Sequence, residues 1–178
     1  MKNFIMLLTY LRIFFGPLIF IIAVFFEMYF ASLVIFVICS FSDFLDGYLA
    51  RKTNSESVLG EILDPIADKL LIVFVLIGLS INLDSFLIGF ISAVIISREI
   101  WVAALRDINS RNNQSHKTRV TFLAKTKTAM QMLSILMYLF GLTINNMMVL
   151  FFADIILIIA LLVTIQTGFQ YTISTFKK

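Results

Sequence analysis

Asp43, Asp46, Asp64 and Asp68 stand at spacings of three, eighteen and four within SDFLDGYLARKTNSESVLGEILDPIADKL, residues 42–70. Long apolar runs flank this stretch, yet it holds six of the chain's eleven acidic residues. Carboxylates are costly beside lipid, so ionisable residues at membrane depth are functional-site candidates by default. On a helix Asp43 and Asp46 share a face, and Gly47, Ala50 and Arg51 fall on the same side. Gly60, Asp64 and Asp68 recur every four residues and make a second stripe. Two helices can thus present four carboxylates to each other, with Gly and Ala allowing close backbone approach. Carboxylates that near repel one another, and a divalent cation relieves the repulsion. Oxygen donors without Cys or His point to Mg2+, Mn2+ or Ca2+. A pair of ions suits displacement at phosphorus, because two ions can clamp the attacking and the leaving oxygen. Arg51 and Lys52 would meet the negative charge of a phosphate-bearing ligand. A plain ladder of helix-end charges, with Arg51, Lys52 and Lys69 as partners, would account for one Asp pair. It accounts poorly for two stripes with glycine at matched places.

The elements that must position these residues are membrane helices. Sixty per cent of the 178 residues are hydrophobic, nineteen are Phe and only two are Pro, with a mean hydropathy of +0.99. Soluble domains average about 45–50% apolar. A membrane-crossing helix takes roughly 20 apolar residues. The apolar runs predict an all-α integral membrane protein with six transmembrane helices, over about residues 4–26, 29–51, 60–81, 84–107, 120–143 and 147–173. They form a single membrane domain, 1–178, with no separate soluble part. The first run carries Arg12 in its middle and lacks a small-residue cleavage site, which argues against a signal peptide. Cys39 is the only cysteine, so an internal disulfide and a cysteine-built metal site are excluded. Its apolar surroundings make it a small hydrophobe.

Alternate connections lie on opposite membrane faces. The face with the termini and the two polar loops, KTNSES and DINSRNNQSHKTR, collects all fourteen Lys and Arg once helix ends are included. The other face has Glu27, Asp84 and Asp154 and no cation. Cytoplasmic loops carry the excess of Lys and Arg. Both termini are therefore expected in the cytoplasm, with the four aspartates toward that side, near headgroup depth.

Asp43-x-x-Asp46-Gly47-x-x-Ala50-Arg51, eight residues, then Gly60-x-x-x-Asp64-x-x-x-Asp68 resembles the full signature of the CDP-alcohol phosphatidyltransferase family, all eight fixed positions included. That family is a six-helix membrane fold, and the resemblance covers essentially the whole chain. It implies transfer of a phosphatidyl or related group from a CDP-linked donor to an alcohol, with release of CMP. It implies that Asp43, Asp46, Asp64 and Asp68 handle Mg2+ or Mn2+, as two ions, and that Asp68 is the general base. Asp46, Gly47, Ala50, Arg51 and Gly60 would lie against the CDP moiety. A homodimer is implied too. A site at headgroup depth suits a donor with its tails in lipid and its nucleotide in water.

Two further stretches, SREIWVAALRD (97–107) and LAKTKTAMQM (123–132), together with LDPIADKL, resemble the bacterial phosphatidylglycerophosphate synthases within that family. The acceptor would then be sn-glycerol 3-phosphate, the partners CDP-diacylglycerol and membrane lipids with no nucleic acid, and the location a bacterial inner membrane with the site facing the cytoplasm. A phosphorylated acceptor needs cations. Arg98, Arg106, Arg119, Lys125 and Lys127 are the candidates for its phosphate. Lys125 and Lys127 are two apart, so at most one of them faces the site squarely. The subgroup's opening pattern, Asn-x-Pro-Asn-x-x-Thr-x-x-Arg, is kept at Asn3, Thr9 and Arg12, but Ile5 and Met6 replace the Pro and the second Asn. Arg12 still needs a polar partner, for which a phosphate or a site carboxylate is the candidate. His116 reads as a solvated loop residue and Trp101 as an interfacial anchor. Two rival readings are a cardiolipin synthase of the same family, using phosphatidylglycerol as acceptor, and a divalent-cation transporter lined by the acids.

Overall fold

Long apolar runs broken only by short polar turns fold into six α-helices among the described residues: α1 (Lys2–Phe26), α2 (Tyr29–Thr53), α3 (Val58–Asn82), α4 (Phe86–Arg111), α5 (Phe122–Thr143) and α6 (Met147–Phe176). The computed structural model describes residues 2–53, 58–118 and 121–177, and within them all side chains except those of 2–5, 43–53, 58–62 and 115–116. The all-helical expectation holds. Among the described residues, three segments, Met6–Phe26, Phe86–Arg111 and Met147–Phe176, are long and apolar enough to cross a membrane on length and composition alone.

The turns are built by a repeated local device. Glu27, Asp84, Asn113 and Asn145 each adopt a left-handed φ, between 45° and 56°. Asn and Asp tolerate that region better than most residues. At three of these turns the next amide reaches back five residues to a helix carbonyl: Ser85 to Ser80 (2.9 Å), Gln114 to Asn109 (2.7 Å) and Asn146 to Gly141 (2.9 Å). This satisfies carbonyls that a helix end would otherwise orphan. Asn146 then caps α6, its Oδ1 accepting from the Met148 (2.9 Å) and Val149 (3.4 Å) amides. Thr121 caps α5 in the same way through Ala124. One expectation is corrected here. The polar stretch from Asp107 to Arg119 is not all loop: α4 continues to Arg111, where an Asp107–Arg111 ion pair at 2.8 Å spans its last turn, and Ser115–Thr118 form a 3-10 turn.

The helices close a ring in the order α1, α2, α5, α6, α4, α3, and α3 also touches α5 across it. α1 and α3 run parallel, paired from Thr9–Asp64 at one end to Ala23–Asn82 at the other. Gly16 lets them approach: a Cβ there would stand 3.2 Å from the Leu71 Cα. α4 and α6 are also parallel.

Inside the ring the side chains are layered. Toward the Glu27, Asp84 and Asn145 turns lies an apolar core that includes Ile19, Phe36, Leu76, Ile91, Ile135 and Leu157, with Cys39 buried in it as expected. Near the other end is a small cluster of Val102, Leu105, Ala124 and Tyr171. Between them sits a polar layer, with Arg12, Arg98, Lys127, Gln131, Thr164 and Thr167 all buried. The outer surface is apolar, with Phe14, Phe41, Phe90, Ile100, Leu162 and Phe169 exposed. Buried cations under an apolar skin invert the water-soluble pattern and match a lipid solvent, in which polar groups turn inward. The chain is a membrane protein.

Candidate active site

α3 carries the second acid stripe. Asp64 and Asp68 are one turn apart on it, and α1 supplies their partners. Thr9 Oγ1 donates to Asp64 Oδ1 at 2.6 Å. Arg12 Nη1 donates to Asp68 Oδ1 at 2.7 Å, and Arg12 Nη2 lies 3.4 Å from Asp64 Oδ1. One guanidinium therefore forks across both carboxylates. Arg12 is only 1% exposed, whereas the Asp64 and Asp68 side chains keep 36% and 24% of their surface open. Burying a charge without a counter-charge is expensive, and the two aspartates supply it. The polar partner that the sequence demanded for Arg12 is thus a pair of site carboxylates. Thr9 and Arg12 are also the two kept positions of the amino-terminal pattern whose side chains are described.

Among the described residues, two carboxylates against one guanidinium leave an excess of one negative charge. Hard carboxylate oxygens, partly open to the surroundings, fit Mg2+ or Mn2+. Asp43 and Asp46 lie on α2, which packs on α1. Their side chains, with those of Gly47, Ala50, Arg51 and Gly60, are outside the described residues, and so is Arg119.

The residue after Asp68 opens a second cluster. Lys69 Nζ lies 3.5 Å from Glu99 Oε2. Glu99 Oε1 accepts from Arg98 Nη1 at 2.8 Å and from Lys127 Nζ. Three helices, α3, α4 and α5, thus converge on one carboxylate, and the sum is two positive charges. α6 fixes Arg98 from behind: its Nε donates to the Thr164 carbonyl at 3.2 Å and its Nη2 to Thr167 Oγ1 at 2.7 Å. Gly168 makes this possible, since a Cβ there would come within 3.1 Å of Arg98 Cγ. Gln131 Nε2 donates to Thr164 Oγ1 at 3.2 Å, which holds the wall of the cluster. Because Asp68 and Lys69 are consecutive, the acidic site and the cationic cluster adjoin on α3.

The remaining cation candidates separate by position. Arg106 and Arg98 both lie over the Tyr171 ring, at 5.8 Å and 5.7 Å, so the two share a face of α4. Arg106 lies two turns along the helix from Arg98 and outside the Glu99 cluster. Lys127 is buried, whereas Lys125 is exposed and takes no part in the cluster. Two residues turn a helix by about 200°, so the pair separates as the spacing required, and Lys127 is the one that faces inward.

Residues 3–166 match the family described as CDP-alcohol phosphatidyltransferase. The chain belongs to that family. All eight signature positions fall inside the matched region. As a CDP-alcohol phosphatidyltransferase, the chain has named relatives. A Rickettsia bellii protein named CDP-diacylglycerol–glycerol-3-phosphate 3-phosphatidyltransferase is 40% identical over 139 residues, which cover 78% of this chain and 75% of that protein. A protein of the same name from Haemophilus influenzae is 37% identical over 144 residues, covering 80% and 75%. Another, from Wigglesworthia glossinidia brevipalpis, is 38% identical over 106 residues, and the chain spans only 58% of its length.

Four residues of this cationic cluster and its wall did not stand out in the sequence as site candidates: Glu99, Gln131, Thr164 and Thr167. Glu99 carried a signal, an acid inside an otherwise apolar run and next to Arg98. Thr164 and Thr167 are three apart in an apolar helix, a spacing that puts two hydroxyls on one face.

Proposed function

We propose that this membrane protein transfers the phosphatidyl group of CDP-diacylglycerol to sn-glycerol 3-phosphate, giving phosphatidylglycerophosphate and CMP. The observation that carries the reading is the junction at Asp68 and Lys69. There a carboxylate suited to deprotonating a hydroxyl adjoins a cluster of net charge +2 suited to a phosphate. The names of the Rickettsia and Haemophilus relatives support the same acceptor.

The division of labour follows. The acceptor phosphate rests against Lys69, Arg98 and Lys127, which turns its hydroxyl toward Asp68. Asp68 takes the hydroxyl proton. The freed oxygen attacks the lipid-side phosphorus, the bond from that phosphorus to CMP breaks, and CMP leaves. Arg12 keeps Asp68 oriented for this step. Asp43, Asp46, Asp64 and Asp68 would hold the divalent ions, Mg2+ or Mn2+, as two ions. When bound, these neutralise the donor pyrophosphate and stabilise the leaving oxygen. Asp46, Gly47, Ala50, Arg51 and Gly60 would line the CDP moiety. All six helices span a bacterial inner membrane in this reading, with both termini and the site on the cytoplasmic side. The working unit is a homodimer.

The test is product identification with purified protein, CDP-diacylglycerol and a panel of acceptors. Radiolabelled glycerol 3-phosphate should enter a lipid product, EDTA should stop it, and Mg2+ or Mn2+ should restore it. Incorporation from phosphatidylglycerol but not from glycerol 3-phosphate would make the chain a cardiolipin synthase instead.

A further inference from the structure

Glu99 has no part in the transfer as derived above, yet three cations converge on it. It sits in α4 at the depth of the polar layer, 17% exposed, with Lys69, Arg98 and Lys127 on its two oxygens. The three cations depend on it unequally. Arg98 has two further anchors on α6, the Thr164 carbonyl and Thr167 Oγ1. Lys69 and Lys127 have Glu99 as their only hydrogen-bond or ion-pair partner among the described residues. Lys127 is buried, and the Lys69 side chain is about a third exposed.

We infer that Glu99 is a positioning residue of the acceptor site, gathering Lys69 and Lys127 against the anchored Arg98 to make a pocket of net charge +2 for a phosphate monoester. This rests on the proposed transfer to glycerol 3-phosphate. Three cations around one point repel one another, and in a dry layer the repulsion is strong. With Glu99 neutral, nothing among the described residues holds Lys69, which is free to swing outward, or Lys127 close to Arg98. With Glu99 charged, each ammonium spends one of its three N–H groups on the carboxylate and keeps others for a ligand. The remaining double charge complements a phosphate monoester, which carries about −1.5 to −2 near neutral pH. A phosphodiester, with a single charge, matches it less well. The carboxylate thereby sets both the shape of the pocket and the class of acceptor it takes.

The experiment measures steady-state kinetics of wild type, Glu99→Gln and Glu99→Asp in the full-length purified protein, varying glycerol 3-phosphate and CDP-diacylglycerol separately. Glu99→Gln should raise the KM for glycerol 3-phosphate about tenfold or more, the loss of one charge-assisted contact. The KM for CDP-diacylglycerol should move less than about threefold, and kcat should fall less than the acceptor KM rises. Glu99→Asp keeps the charge on a shorter arm and should recover part of the acceptor KM. Equal rises in both KM values, or an acceptor KM within twofold of wild type in folded Glu99→Gln, overturn the inference. If Glu99→Gln does not fold, Glu99→Asp decides: an acceptor-only rise of threefold or more upholds it, and an unchanged acceptor KM overturns it. Wild type that makes no lipid from glycerol 3-phosphate overturns the functional reading and this inference together. Active wild type with unmoved variants overturns this inference alone.

Discussion

Arg12 Nη1 meets Asp68 Oδ1 at 2.7 Å across 56 residues of sequence, and the same guanidinium reaches Asp64. The contact joins the first helix to the third and places a buried cation directly behind the proposed base. Arg12→Ala should destabilise the protein by about 3 kcal/mol, the lower end of the cost of breaking a buried pair, because both carboxylates keep some exposure. Thermal unfolding in detergent measures it. Turnover should be lost as well, since two carboxylates without the guanidinium repel and turn away. Arg12→Lys, with a point charge in place of the fork, should recover more stability than activity. Equal recovery of both would separate Arg12 from the orientation of Asp68.

Asp68→Asn is the complementary variant. Asn keeps a carbonyl oxygen that can accept from Arg12, so the α1–α3 link and the fold should survive. The side chain no longer takes a proton. Turnover should fall at least a hundredfold, within the range of general base catalysis, while binding of CDP-diacylglycerol changes comparatively little. A variant that keeps more than a tenth of wild-type turnover would remove the base from Asp68. Asp64→Asn should weaken donor and metal binding too, because in the proposed division of labour it holds the ions and not the acceptor.

The arrangement of charges along the chain makes a topological prediction. Met147 is exposed at the start of α6, and Asn112 is exposed at the end of α4. Both accept cysteine without strain, unlike the neighbouring Asn145 with its left-handed φ of 49°. In a Cys39→Ala background, a membrane-impermeant thiol reagent on intact cells should label Met147→Cys. Asn112→Cys should react only after permeabilisation. The reverse pattern would turn the protein over and put the acids on the outer face.

How far the sequence reached depends on the range of the interaction. The six helices were legible because each is a long apolar run closed by a short polar turn, a local property. Their ends drifted where a local pair competed with polarity, as at Asp107 and Arg111, whose ion pair extends α4 through residues that look like loop. The stripe of Asp64 and Asp68 was legible from spacing within one helix. Its partners were only half legible: a buried arginine in an apolar run demands an anion, but which anion depends on α1 lying parallel to α3, and on Gly16 letting it lie close. Glu99 was harder still. Its meaning comes from α3 and α5 converging on α4, and no single segment contains that. The choice between Lys125 and Lys127 was open for the same reason, since helical spacing separates two residues but does not say which one faces in.

That choice now gives the sharpest test of the acceptor site. Lys127 is buried against Glu99, while Lys125, two residues earlier, is exposed. Lys127→Met should keep the fold, because Met fills a similar volume and Glu99 still has Arg98 and Lys69. It removes one proposed charge-assisted contact to the acceptor phosphate, worth roughly 1.5–3 kcal/mol. Since 1.4 kcal/mol is about tenfold, the KM for glycerol 3-phosphate should rise by about one to two orders of magnitude. The KM for CDP-diacylglycerol should move far less, because in the proposed arrangement the donor rests on the aspartates and on Gly47, Ala50 and Arg51. Lys125→Met should leave both constants within about twofold, as a solvated or headgroup-facing lysine would. Plain glycerol, which has no phosphate for the cluster to grip, should be a poor acceptor for wild type and for both variants. The assay varies each substrate separately in all three proteins. A larger effect from Lys125→Met than from Lys127→Met would move the acceptor phosphate out of the Glu99 cluster to the exposed side of α5.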